Sequence, residues 1–396
     1  MAEIYFDNSA TTPLCESART RMSEVMDQLY GNPSSMHSKG VDGEKILTRA
    51  RGEILSALGV KNISSLGDNR LIFTSCGTEA DNLALFGTCY AKKFTSGKNI
   101  IISDSEHPAV LECAKKLEED GFKVIRIATK NGIFDYDSLE AAVDKSTVIV
   151  SVMLVNNETG AINDIKRISR IVKSKNPDTL VHTDAVQGFM KMKFTPMSLG
   201  ADMITLSSHK IHGPKGVGAL YVDPVVFKTR KLVPIIYGGG QEKGFRSGTE
   251  NTIGIAGFGA AASECTKSLA DDIKNISDIQ SYIQNTIQTN PDYSTVKLNI
   301  PNGECAPHII SINLGGIKSE TMLNFLSARG IYVSSGSACS SNSGHISNTL
   351  LSFGLPEHEA DSTIRVSLGR ENTLKEADIF LKTLLEGVKN LISTKK

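Results

Sequence analysis

"TVIVSVMLV", residues 147–155, decides how the fold reads. It is apolar almost throughout instead of on alternate residues. A strand of that kind is buried front and back, as in a parallel sheet covered by helices. Six further runs share the pattern: "RLIFTS" (70–75), "NIIISD" (99–104), "KVIRIA" (123–128), "TLVHTDAV" (179–186), "DMITLSS" (202–208) and "GVGALYV" (216–222). Between them lie stretches of helical period. One is "PAVLECAKKLEEDG" (108–121), which sets Val110, Leu111, Ala114 and Leu117 on one face. Strands alternating with helices predict an α/β fold built on a large, mostly parallel sheet.

Past about residue 255 the pattern changes. A helical stretch (255–290) precedes "HIISINL" (308–314), a helix near 319–329, the strand "IYVSS" (331–335), "TIRVSLG" (363–369) and a terminal helix. This reads as a smaller α+β domain. The expected division puts 15–260 in the large domain and 1–14 with 261–396 in the small one. A chain of 396 residues is long enough for two such cores. Formal net charge is zero, which gives no argument for nucleic acid or an acidic membrane as partner. No run approaches the length of a membrane span, and "MAEIYFDNSATTP" has no signal-peptide pattern. The seven cysteines are scattered and never form a CxxC pair, which argues against a disulfide framework or a metal site. Free thiols in a reducing cytoplasm are the expectation.

Ligands of open α/β sheets sit at the carboxyl ends of the strands. Here those ends carry "CGTEADN", "SEHPAV", "NNETG", "DAVQ" and "SSHKIHGPKG". Lys210, just past a strand, is either a solvated lysine or a Schiff-base nucleophile toward a carbonyl cofactor. Asp184 ends an apolar strand and needs a cationic or hydrogen-bonding partner. That partner is either structural or the protonated ring nitrogen of pyridoxal phosphate, with Gln187 in reach of the same ring. Gly77 and Thr78 open a helix whose N–H groups suit a phosphate, unless Ser75 or Thr78 simply caps it. Ser207, Ser208 and His209 stand beside Lys210 as further phosphate contacts. His107 is either a structural helix-start histidine or a ring that stacks on a cofactor and moves protons. Asn156 and Asn157 are turn residues or ligand donors. Taken together, these residues form the parts list of a pyridoxal phosphate site.

One segment belongs to neither core. "SSGSACSSNSGHISN" (334–348) holds Cys339 among Ser, Gly and Asn. By composition it is a linker with a stray thiol, or a tether for a thiol that must travel.

In order along nearly the whole chain, "YFDNSATTP" (5–13), "GNPSSMH" (31–37), "FTSCGTEADN" (73–82), "EHPAV", "VNNETG", "HTDAVQ", "SSHKIHGPKGVGALY", "GFRSGTEN" (244–251), "SSGSACSS" and "IRVSLGR" (364–370) resemble the NifS/IscS-type cysteine desulfurases. These are pyridoxal phosphate enzymes of the aspartate-aminotransferase fold, fold type I. The resemblance implies that Lys210 carries the cofactor, Asp184 meets its ring nitrogen and Gln187 its phenolate oxygen. His107 would stack on the ring and act as acid and base. Gly77, Thr78, Ser207, Ser208 and His209 would hold the phosphate, with Asn157 close by. Thr249 would reach the phosphate of the other subunit in a homodimer. Asn157, Arg365 and Asn32 would hold the substrate, and His37 and Arg246 would line the same entrance. A bidentate fork suits a carboxylate, although Arg365 also reads as a charge on a sheet edge.

The implied reaction converts L-cysteine to L-alanine and leaves the sulfur as a persulfide on Cys339. That sulfur then passes to an iron–sulfur scaffold or a thiolation enzyme. A selenocysteine lyase, another cysteine lyase or an inactive scaffold are the alternative readings. The Cys339 loop is expected to be poorly ordered, with the thiol away from Lys210 at rest. Cys76 stands where many relatives carry glycine. The ending "LISTKK" is shorter than the tail with which scaffold-feeding relatives dock their partner, so the resemblance puts a scaffold in doubt and leaves a dedicated acceptor as the other expectation.

Overall fold

The computed structural model describes residues 3–64, 68–91, 97–335 and 346–393. All seven apolar runs become strands: β1 (Leu71–Thr74), β2 (Asn99–Ser103), β3 (Lys123–Ile127), β4 (Thr147–Ser151), β5 (Leu180–Asp184), β6 (Met203–Ser207) and β7 (Gly218–Val222). They form one sheet in the order β1-β7-β6-β5-β4-β2-β3. β7 is antiparallel to both its neighbours and the other pairings are parallel. The carboxyl ends of β1, β2, β4, β5 and β6 therefore meet along one edge.

The opening run is shorter as a strand than its apolar stretch. Val152–Val155 is buried and lies past the regular strand, yet Val152 and Leu154 still donate to the His182 and Asp184 carbonyls of β5 before the chain folds back through an isolated bridge of Val155 with Ile162. Apolarity reports burial, and buried loop backbone looks the same as strand. The loop that results carries Asn156, Asn157 and Glu158.

Helices cover the sheet. Those used below are α1 (Glu16–Gln28), α2 (Ser38–Ala57), α3 (Gly77–Cys89), α4 (Pro108–Glu119) and α5 (Thr252–Thr289). α5 is capped by Asn251, whose side chain accepts from the Gly254 N–H at 3.0 Å. Its first half packs with the large sheet's core through Ile255, Phe258 and Ala262. Its second half joins a different core through Ile276, Ile279 and Ile283. Gly257 and Gly259 let it lie close on Met22 of α1 and Ala50 of α2, where a Cβ would approach within 3 Å.

That second core surrounds a four-stranded antiparallel sheet of β8 (Lys297–Leu298), β9 (Ile309–Asn313), β10 (Ser334–Ser335) and β11 (Thr363–Ser367), in the order β8-β9-β11-β10. "IYVSS" does not form one strand. Ile331–Tyr332 pairs in parallel with Ile4–Tyr5, and only Ser334–Ser335 joins the sheet. Ile4 and Phe6 are buried in this second core beside Val366 and Phe380. Among the described residues, no helix is long and apolar enough to cross a membrane.

Candidate active site

Lys210 closes a 3₁₀ turn, Ser208–Lys210, directly after β6. Its Nζ donates to the backbone carbonyls of Ser9 at 2.5 Å and Ala10 at 2.9 Å. Asp184 ends β5 and is buried, with Oδ1 accepting from the Val186 N–H at 2.8 Å. Burial raises its pKa, while the charges of His107 and Lys210 pull it back. A carboxylate in that position favours a cation beside it.

His107 is the N-cap of α4, and its Nδ1 accepts from the Ala109 N–H at 3.1 Å. Burial lowers its pKa, opposed by Asp184 and reinforced by Lys210. An imidazole whose Nδ1 accepts a hydrogen bond carries its proton on Nε2. The structural and functional readings of this histidine are therefore compatible: it caps a helix and presents an N–H.

The α3 N-terminus supplies the anion end. Its N-cap is Cys76, which makes no side-chain capping bond, so neither Ser75 nor Thr78 caps the helix. A Cβ on Gly77 would lie 3.0 Å from Val186 Cγ2 and 3.6 Å from Ser207 Cβ. This places the uncapped N–H groups of Gly77 and Thr78 beside the ends of both β5 and β6. His209 Nδ1 pairs with Thr11 Oγ1 at 3.1 Å, and burial followed by the charge of Lys210 takes it down to about 4. It is neutral at ordinary pH. Ser208 Oγ is turned onto Gly213 and has no hydrogen-bond partner among the described residues.

Arg365 lies on β11, an interior strand, and is 3 % exposed. The surface-charge reading is thereby overturned. Nη1 donates to the Asn157 carbonyl and Nη2 to Asp7 Oδ1, both at 2.9 Å, while Nε has no partner among the described residues. Gln187 Nε2 donates to the Ser9 carbonyl at 2.9 Å.

The remaining residues lie in other surroundings. Asn32 and His37 make local bonds at the entry to α2, Asn32 with the Ser34 N–H and His37 with the Gly40 N–H. Arg246 forks onto Glu79 of α3 at 2.7 and 3.3 Å. Thr249 is exposed and lines a cavity of about 120 Å³ with Ser75 and Arg246. Cys339 lies outside the described residues, as does the expectation about its loop.

Two features were given no role from the sequence. Residues 7–12 thread between both sheets, with Ser9, Ala10 and Thr11 bonded to Lys210, Gln187 and His209. Most of those contacts use backbone carbonyls, which carry no residue-type signal. Glu106 is the second feature. It is buried and pushed up to about 8 by burial, although Ser103 Oγ and the Met153 N–H donate to it.

A family profile described as aminotransferase class V matches residues 4–380. The chain belongs to that family. A NifS/IcsS protein homolog of Lactobacillus delbrueckii subsp. bulgaricus is 39% identical over 96% of this chain and 95% of its own. The cysteine desulfurase IscS of Dictyoglomus turgidum is 37% identical over 96% and 93%. A solved NifS-like protein superposes with a TM-score of 0.89 at 35% identity, covering 98% of this chain and 100% of that one. The fold is the fold type I of these class-V enzymes, as the ordered motifs implied.

Proposed function

We infer that this chain is a cysteine desulfurase, a class-V enzyme that moves sulfur from L-cysteine to an acceptor. One observation carries the reading. Lys210, Asp184 and His107, from three different strand ends, meet at one sheet edge, where Asp184 and His107 act on each other's protonation and the charge of Lys210 acts on both. The uncapped start of α3 lies on the same edge.

The residues fit pyridoxal phosphate. Lys210 would hold it covalently, and Asp184 would face its ring nitrogen, the cation that a buried carboxylate favours. Gln187 Nε2 has a second hydrogen left for the ring oxygen. Gly77, Thr78, Ser207 and His209, with the partner subunit's Thr249, would take the phosphate. When bound, the cofactor supplies the electron sink that loosens bonds at Cα and Cβ of an amino acid.

The protein's own groups do the rest. Arg365, fixed by Asp7 and the Asn157 carbonyl, presents buried positive charge to the substrate carboxylate, with Asn157 beside it. His107 holds a proton at Nε2. The Cys339 thiol takes the substrate sulfur, so that one thiol and L-cysteine become one persulfide and L-alanine. The site would work in a cytoplasmic homodimer that passes this sulfur to a scaffold or thiolation enzyme.

The test is direct. Purified protein given pyridoxal phosphate should turn yellow and bleach with borohydride. Cys339→Ser should lose alanine formation from L-cysteine yet retain it from L-selenocysteine. Unchanged turnover of L-cysteine by that variant would sink the persulfide step. A protein that never colours would sink the cofactor assignment.

A further inference from the structure

Lys191 follows β5 in "GFMKMKF" and reads in the sequence as one more surface lysine. In the structure it points inward. Its Nζ donates to Gln187 Oε1 at 3.1 Å. Gln187 Nε2 donates to the Ser9 carbonyl at 2.9 Å, and that same oxygen accepts from Lys210 Nζ at 2.5 Å. A continuous chain of hydrogen bonds thus runs from Lys191 to Lys210.

The chemistry of the chain has a direction. An ammonium has donors and no acceptor, so only the oxygen of the Gln187 amide can face it. The NH₂ end is then committed to the Ser9 side, where its second hydrogen is available. Without the ammonium, the two ends of the amide are nearly alike in shape, and only the Ser9 carbonyl, already bonded by Lys210, is left to choose between them. The charged and titratable surroundings of Lys191 are Lys210, Arg365, Cys265, His209, His212 and His308. Burial first, then the charges of Lys210 and Arg365, bring Lys191 down to about 7. Its charge is therefore poised near neutral pH, close to the groups assigned to the cofactor.

We propose that Lys191 is a positioning residue of this site, fixing which end of the Gln187 amide faces the cofactor's ring oxygen and adding positive charge on that side. The proposal rests on the pyridoxal phosphate reading above. Losing the charge and freeing the amide act in the same direction. Both favour the protonated form of the lysine–cofactor linkage, so the pH at which the colour changes should rise.

The experiment titrates the absorption band of pyridoxal-phosphate-loaded protein against pH, and measures the dissociation constant of the cofactor. Lys191→Met should move the colour change upward by about one unit and weaken cofactor binding about 10-fold. Lys191→Arg, which keeps charge and donor, should return both most of the way. If Lys191→Met does not fold, Lys191→Gln removes the charge at similar volume and is read the same way. In a Gln187→Leu background, Lys191→Met should keep the part of its effect that comes from charge and lose the part that runs through the amide, and so add clearly less than its single effect. A colour change at the wild-type pH overturns the proposal, as does full additivity with Gln187→Leu. A wild-type chain that never colours overturns the cofactor reading itself, and the two failures are therefore distinct.

Discussion

Glu106 shows how one residue's surroundings set a pH dependence. Its carboxyl is buried beside Asp184 and pushed up to about 8, against an ordinary value of about 4.3. A raised carboxyl keeps its proton in the fold while the unfolded chain ionises. The associated stability is complete below about pH 4.3 and declines as pH rises through about 8. Glu106→Gln cannot ionise and escapes that decline. Its melting temperature should gain on the wild type by about 2–4 °C between pH 5 and 8.5. Scanning calorimetry of both proteins across that range checks this, and parallel curves would refute it. The sequence shows a glutamate before a histidine and no more. Its burial depends on Ser103, three residues before it, and on the Met153 N–H, which the segment after β4 brings to it.

At the scale of elements, the start of α3 is closely packed where the site needs it. A Cβ on Gly77 would press on Val186, whose N–H holds Asp184. Gly77→Ala should therefore weaken pyridoxal phosphate binding about 10-fold, measured by fluorescence titration. Gly52, in the middle of α2, is the contrast, because a Cβ there meets nothing nearer than Ile63 Cγ2 at 4.0 Å. Gly52→Ala should instead stabilise the protein by about 0.5–1 kcal/mol, read by denaturant unfolding, with binding unchanged. Equal binding by both variants would remove α3 from the phosphate site. These elements were legible in the sequence because a buried strand declares itself by continuous apolarity and the strand-end rule does the rest. Asp184 and Lys210 fell at the carboxyl ends of neighbouring strands on that logic alone. Three things stayed hidden: the fold-back of the chain at Val155 onto Ile162, the break in "IYVSS", and the parallel pairing of Ile4–Tyr5 with Ile331–Tyr332. Each depends on a partner distant in sequence, and local pattern does not encode the partner.

For the whole molecule the question is what aligns the two sheets, since Lys210 stands on one and Arg365 on the other. α5 joins them by running through both cores. Residues 7–9 join them at the site itself. Asp7 pairs with Arg365, Ser9 N–H donates to Ser367 Oγ at 2.9 Å, and the Ser9 carbonyl accepts from Lys210 and Gln187. Asn8 pins this segment, its buried amide donating to the Ser367 carbonyl at 3.1 Å and to Asn372 Oδ1 at 3.2 Å. Asn8→Ala removes both donors, and although the Ser367 carbonyl keeps the residue-8 N–H and Asn372 Oδ1 keeps the Gly369 N–H, the two lost bonds cost about 0.5–1.5 kcal/mol each. That cost falls on the register between the sheets, while Lys210, Asp184 and the start of α3 keep their mutual geometry within the large one. The expected outcome is a split: the KM for L-cysteine rises about 10-fold or more, and the dissociation constant of pyridoxal phosphate changes less than about 3-fold. Steady-state kinetics beside a cofactor titration measures the two separately. If both constants move together, Asn8 supports the fold at large. If the KM stays fixed, the amino-acid site does not span the two sheets, and Arg365 loses its assigned role.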